Sequence, residues 1–199
     1  MMWRLLLVLG AALTLAACGV APPSPEGIDG ARPIARWDAP PAPETWSLTG
    51  RAAVRTPEQA GTVSVHWRHD DAGYRIDLRA PLGAGALRLV GDDQGVLLRT
   101  AGGEQYRADS ARALLQAAAG YDLPVDYLRW WLRGQPVPGL PGEVITDAEG
   151  RAAVLRQDGW RVLLSDYREV AGYHLPHRVS AEKEPVSARI AIREWSVPQ

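Results

Sequence analysis

The sequence predicts a mainly β fold: a single curled antiparallel sheet of about eleven strands around an apolar interior. An inserted helical lid covers an apolar cavity. Three observations predict it. From Trp46 onward, apolar and polar residues alternate with period two through most of the chain. The alternating segments are joined by short connections such as Asp70-Asp71, Gly91-Asp92-Asp93 and Gly102-Gly103, which favour antiparallel hairpins. Open twisted sheets rarely exceed about ten strands without curling, and one apolar face per strand gives the curled sheet an apolar inside.

The elements follow in order. Trp46, Leu48 and Gly50 share one face of the first strand, and Val63, Val65 and Trp67 one face of the second. Tyr74, Ile76 and Leu78 alternate with Arg75, Asp77 and Arg79; Leu87 and Leu89 flank Arg88. Short strands are expected over 95–100 and 104–108. Two helices then interrupt. Asp109 or Ser110 can cap the first, Leu114, Leu115 and Ala118 form its stripe, and Gly120 stops it. Asp122 can cap the second, Pro124 suits its first turn, and Gly134 ends it. Leu128, Trp131 and Leu132 share its apolar face, and of the adjacent Trp130 and Trp131 only one can face the core well. After a Pro/Gly loop, strands resume near 143–147, 151–157, 160–168, 174–180 and 186–195. No repeat of 20 to 50 residues is present, so a solenoid or propeller is excluded.

The N-terminus carries a different kind of signal. Arg4 precedes an apolar run from Leu5 to Ala17, too short for a membrane-spanning helix and suited to a secretory signal peptide. The ending Leu15-Ala16-Ala17-Cys18 looks like a bacterial lipobox. Cys18 is the only cysteine, so it forms no internal disulfide, and it stands where cleavage and lipidation would place it. Such a chain is anchored to a membrane by its lipids rather than spanning it. Gly19, at the position where aspartate retains enteric lipoproteins in the inner membrane, favours the outer membrane, with the domain facing the periplasm. The organisation expected is a signal peptide over 1–17, a lipidated proline-rich tether over 18–43, and one domain over 44–199. A single helical turn is compatible with Ile34 to Trp37.

Composition and motifs exclude much. A formal charge of -1 argues against a nucleic-acid partner. The sequence contains no nucleophile elbow, no P-loop and no dinucleotide fingerprint. His66/His69 and His174/His177 are spaced three apart, which on a strand points them to opposite faces, so they are read as surface or turn residues and no metal ligands are assigned. No catalytic residues, metal or cofactor are expected.

One turn is unusual. Between two alternating strands stands Pro81-Leu82-Gly83. Pro81 suits the second position of a type I turn and Gly83 the fourth, which puts Leu82 at the apex. Leu82 either folds back over the barrel end or meets a membrane.

The ordered motifs then add up. "WSLTGRAAV", "VSVHW", "YRIDLRAPLGAGALRL", "LPVDYLRWWLRGQP", "RQDGWRVLLSDY", "LPHRV" and "IAIREW" follow the lipobox in sequence. The set closely resembles the LolB family of outer-membrane lipoprotein receptors, over roughly Trp46 to Trp195. The resemblance implies an unclosed eleven-stranded barrel with a lid over an apolar cavity. It implies a monomer that accepts lipoproteins, with their acyl chains, from the periplasmic carrier LolA. Insertion into the inner leaflet of the outer membrane would follow without nucleotide hydrolysis. On this reading the inward residues Val65, Trp67, Ile76, Leu78, Leu87, Leu89, Val162 and Leu164 line the cavity, with Leu128 and Trp131 from the lid. Pro81, Leu82 and Gly83 become a membrane-insertion loop. The alternatives are a structural or assembly lipoprotein that docks proteins through its sheet edges, and a carrier of another apolar ligand.

Overall fold

The computed structural model describes residues 30–57, 60–83, 85–119 and 123–198. Twelve strands form one antiparallel sheet: β1 (Arg32–Pro33), β2 (Trp46–Arg55), β3 (Ala60–Asp70), β4 (Gly73–Arg79), β5 (Ala86–Asp92), β6 (Gly95–Thr100), β7 (Gln105–Ala108), β8 (Gly142–Thr146), β9 (Ala152–Gln157), β10 (Trp160–Val170), β11 (Tyr173–Lys183) and β12 (Val186–Ser196). Two helices, α1 (Ala111–Ala119) and α2 (Val125–Trp131), separate β7 from β8. The eleven strands expected are all present. β1 was beyond reach of periodicity, because two residues cannot show a period.

The spatial order is β1-β8-β9-β10-β11-β12-β2-β3-β4-β5-β6-β7. Apart from β12 beside β2 and β1 beside β8, neighbours in space are neighbours in sequence. The sheet stays open, with β7 at one edge and β1 at the other. The helical segment runs from one edge strand to the other side of the sheet. At β12–β2 the register shifts between Ile192 and Glu194. Such a bulge bends a strand and raises its twist. Gly50 sits opposite Ile192, and a Cβ there would collide with the carbonyl oxygen of Ala191. The close approach therefore requires glycine.

Inward residues make one continuous core. Leu48 on β2, Val65 and Trp67 on β3, Ile76 on β4 and Leu89 on β5 are buried, while intervening Arg51, Arg68 and Arg75 are exposed. Trp46 packs against Trp67 and Trp195 at centroid distances of 5.7 and 5.2 Å. A second aromatic group, Tyr127, Trp131 and Trp160, fills the side of the barrel formed by β9 and β10.

The helices start and stop by local chemistry. Ser110 caps α1, its Oγ accepting from the Ala113 amide at 3.1 Å. Gly120 and Asp122, the expected stop and cap, lie outside the described residues. The chain leaves α2 through Gly134, at φ 76°, with the amide of Gly134 bonded to the Trp131 carbonyl and that of Gln135 to the Trp130 carbonyl. This is the Schellman arrangement, for which a left-handed glycine is suited.

Part of the expected tether behaves otherwise. Residues 30–43 lie against the domain. Arg32 pairs with Val144, Ile34–Arg36 form a 3-10 turn, and buried Trp37 donates its Nε1–H to the Gly150 carbonyl at 3.0 Å. Gln135 Nε2 donates to the Pro40 carbonyl at 2.7 Å and Arg133 Nη1 to the Pro43 carbonyl at 2.6 Å. Proline lacks an amide hydrogen but keeps a full acceptor. A proline-rich segment can therefore be fastened by donors from elsewhere, which composition does not show.

Gln157 is the polar centre of this side. It is 2% exposed. Its Oε1 accepts from Trp131 Nε1 at 3.2 Å and from the Val137 amide at 2.9 Å; its Nε2 donates to the carbonyls of Val137 and Leu140 at 3.2 and 2.9 Å. One side chain ties α2 and the following loop to β9. Gln157→Leu is expected to leave the Trp131 and Val137 N–H groups unbonded and to lower unfolding stability by about 2–4 kcal/mol, read as a reduced urea midpoint.

Candidate functional site

Between the lid and one half of the sheet lies a cavity of about 90 Å³, lined only by apolar side chains. β2 contributes Leu48, Ala52 and Val54; β3 contributes Val63, Val65 and Trp67. β4 and β5 add Ile76, Leu78 and Leu89, and β12 adds Ala188 and Ile190. The roof is Leu115 of α1, Val125 and Leu128 of α2, and Leu123 and Leu132 beside α2. Six residues expected in the lining are brought together here: Val65, Trp67, Ile76, Leu78, Leu89 and Leu128.

The other four are placed elsewhere in the core. Trp131, Val162 and Leu164 are buried, but on the filled side of the barrel, where Trp131 is held by Gln157 and packed on Trp160. Leu87 is half-buried against the core and does not line the cavity. Alternation identifies which face a residue takes; it does not say whether packing fills or spares the space in front of it. Ala52, Val54 and Val63 were missed although they continue the same inward faces. The extended length of β2 and β3 was the signal available.

Buried polar atoms gather around Trp67 of the lining. Trp46 and Trp67 each present a buried indole N–H, Tyr74 a buried hydroxyl and Arg129 a buried Nε, and none of these has a hydrogen-bond partner among the described residues. Trp67 stands 6.3 Å from Tyr74. Burial raises the Tyr74 pKa well above that of a free phenol, so the hydroxyl stays protonated. His69, 5.5 Å from Trp46, has its pKa lowered, first by burial and then by Arg133 and Arg129. Trp130, unlike Trp131, is half-exposed, with the guanidinium groups of Arg133 and Arg129 at 4.8 and 5.4 Å from its ring.

Leu82 is the extreme of the surface. It is 106% exposed, the most exposed of the large apolar side chains among the described residues. Its φ of 54° and ψ of 24° are left-handed, not those of the type I turn expected. The loop is longer than such a turn: the Ala80 amide bonds the Gly85 carbonyl at 2.9 Å. Closing it takes left-handed geometry at Leu82 as well as at Gly83, whose φ is 75°. A leucine held there costs about 1–2 kcal/mol. Leu82 does not fold back over the barrel end.

The histidines divide. His66 and His174 are exposed, as expected, but His177 is buried, its Nδ1 3.2 Å from the Leu175 carbonyl. Strand alternation carries His177 inward, and turn proximity had hidden this. Among the described residues no group of three His, Cys, Asp or Glu could hold a metal, and no helix is long and apolar enough to cross a membrane. Cys18 lies outside the described residues.

Comparison with known proteins gives a consistent picture. The family described as "Outer membrane lipoprotein LolB" matches residues 44–195. An outer-membrane lipoprotein LolB of Alkalilimnicola ehrlichii is 40% identical over 98% of this chain and 97% of its own. One from Pseudomonas aeruginosa is 36% identical over 78% of this chain and 76% of its own. The crystal structure of a putative outer membrane lipoprotein-sorting protein domain from Vibrio parahaemolyticus shares the fold, with a TM-score of 0.52 and 10% identity over 76% of this chain and 84% of that one. Matched from β2 through the lid to β12, and 40% identical to one relative over 98% of its length, this chain belongs to the LolB family of outer-membrane lipoproteins.

Proposed function

We propose that this protein is a receptor that accepts lipoproteins from the periplasmic carrier LolA, holds their acyl chains under its lid, and inserts them into the inner leaflet of the outer membrane. The observation that carries the proposal is the wholly apolar cavity roofed by α1 and α2. Acyl chains gain about 0.8 kcal/mol for each CH₂ withdrawn from water. A lipoprotein therefore crosses an aqueous space only inside a succession of apolar sites. Without nucleotide hydrolysis, each acceptor must bind more favourably than the donor before it.

The cavity as it stands is small. At about 90 Å³ it is smaller than the roughly 150 Å³ apolar cavity that holds one benzene ring. Acyl chains enter only if the lid moves. Arg133, Gln135 and Gln157 hold the end of α2 to the N-terminal segment and to β9. The lid then swings from α1, over the strands that line the cavity.

Cys18, once lipidated, anchors the protein to the outer membrane, and Leu82 touches the bilayer. Burying one leucine in lipid gains about 1.5–3 kcal/mol, a bias of roughly tenfold to hundredfold. That is enough to favour delivery and too little to anchor. The alternative of a pure docking module predicts a core that takes up no lipid.

Mixing a chain that begins at Gly19 with LolA loaded with labelled lipoprotein tests the proposal. The label is expected to move to this protein; label that stays on an active carrier removes the receptor reading. Leu78→Trp, which fills the cavity with an apolar ring, is expected to leave folding intact and reduce uptake at least tenfold, read by label transfer. Leu82→Glu is expected to keep its thermal midpoint and its uptake while insertion into vesicles falls roughly tenfold or more.

A further inference from the structure

The polar side of the sheet carries a second concavity, of about 730 Å³, across β12, β2, β3, β4 and β5. Its walls hold Arg51, Arg68, Arg75, Arg79, Arg88 and Arg193 against one carboxylate, Asp77. The whole chain has a formal charge of -1. Positive charge is therefore concentrated here rather than general.

Register creates the concentration. Arg68 stands directly opposite Arg75, and Ser64 separates Arg51 from Arg79 in one cross-strand row. Like charges directly opposite destabilise a sheet. The one acid present is already engaged: Asp77 accepts from Arg75 Nε at 2.9 Å and from Arg88 Nε. Among the described residues no carboxylate pairs with Arg51, Arg68, Arg79 or Arg193, and all four are exposed. Unpaired guanidinium groups in a concave surface are suited to phosphate, which they bind through paired N–H donors.

We infer that this arginine groove docks the phosphate headgroups of anionic membrane lipid, an inference that rests on the membrane-insertion step proposed above. The position of Leu82 selects the lipid surface over an acidic protein. The loop bearing Leu82 leaves β4 directly after Arg79 and returns to β5 two residues before Arg88. At about 3.3 Å per residue, those two arginines lie within about 10–20 Å of the exposed leucine. A bilayer offers phosphate and hydrocarbon together at that spacing; an acidic protein surface offers no reason for the bare leucine beside it. Groove and finger act as one contact, the charge orienting the sheet and the leucine entering the lipid.

Vesicle binding tests this. A chain beginning at Gly19 keeps every described residue. It is expected to bind vesicles enriched in phosphatidylglycerol in preference to pure phosphatidylcholine, and to lose the preference in high salt. Each arginine near an anionic surface contributes about fivefold, so Arg51→Gln with Arg79→Gln is expected to weaken binding about 25-fold. Arg68→Gln with Arg193→Gln is expected to weaken it similarly while the thermal midpoint holds or rises, because a charge directly opposite Arg75 is removed. Equal binding to both vesicle types, or folded double variants that bind like the parent, would overturn the inference. So would variants that bind vesicles normally but lose transfer from LolA in vesicle-free solution, since the groove would then serve an acidic protein. Uptake of a fluorescent acyl probe reads the cavity separately: failed uptake with intact charge-selective vesicle binding would remove the receptor proposal and leave the groove standing.

Discussion

One connection governs the rest of the structure. The chain must pass from β7, at one edge of the open sheet, to β8, near the other. The sheet curls around its apolar face, so the shorter route crosses the mouth of the curl. A segment on that route has apolar residues beneath it and water above. An amphipathic helix satisfies both, since its backbone bonds are internal and its faces differ. The lid follows from the topology as much as from the sequence of α1 and α2.

The same crossing divides the interior unequally. On the side of β9 and β10, large rings fill the space and Gln157 satisfies the polar groups that the loop brings in. On the side of β12, β2, β3 and β4, the inward residues are chiefly smaller aliphatics such as Ala52, Val54, Val65 and Ala188, and the space in front of them is left open. One end of the lid is thus held by hydrogen bonds, and its roof meets the cavity through apolar side chains. Apolar contact is not directional, so it is re-formed readily with a different apolar surface. That asymmetry is what a cavity for hydrocarbon requires.

The sheet was legible because period two survives in almost every strand, and Trp46, Val65, Ile76 and Leu89 point inward as alternation requires. Ser110 and Gly134 announced where helical structure starts and ends. The exposed leucine was legible for a negative reason, an apolar residue where turn chemistry wants a polar one. What stayed hidden was tertiary. Nothing local in Gln157 says that four partners converge on it. Val162 and Leu164 obey the same alternation as Val65, yet they face filled space. The arginine rows were visible as alternating charges, but only register across five strands makes them one surface.

The fastening of residues 30–43 changes the reach of the domain. Were the chain free from Cys18 to Pro43, its 26 residues could extend about 80–90 Å. With residues 32–43 held to the sheet and to Arg133 and Gln135, a lipid anchor at Cys18, as proposed above, would lie within about 40 Å of Gly30 at full extension. That length is close to the diameter of a small domain. The protein could turn over on such a leash, presenting its lid outward at one moment and its loop to the bilayer at the next. On the proposed function, it could not travel far from the membrane that holds its anchor.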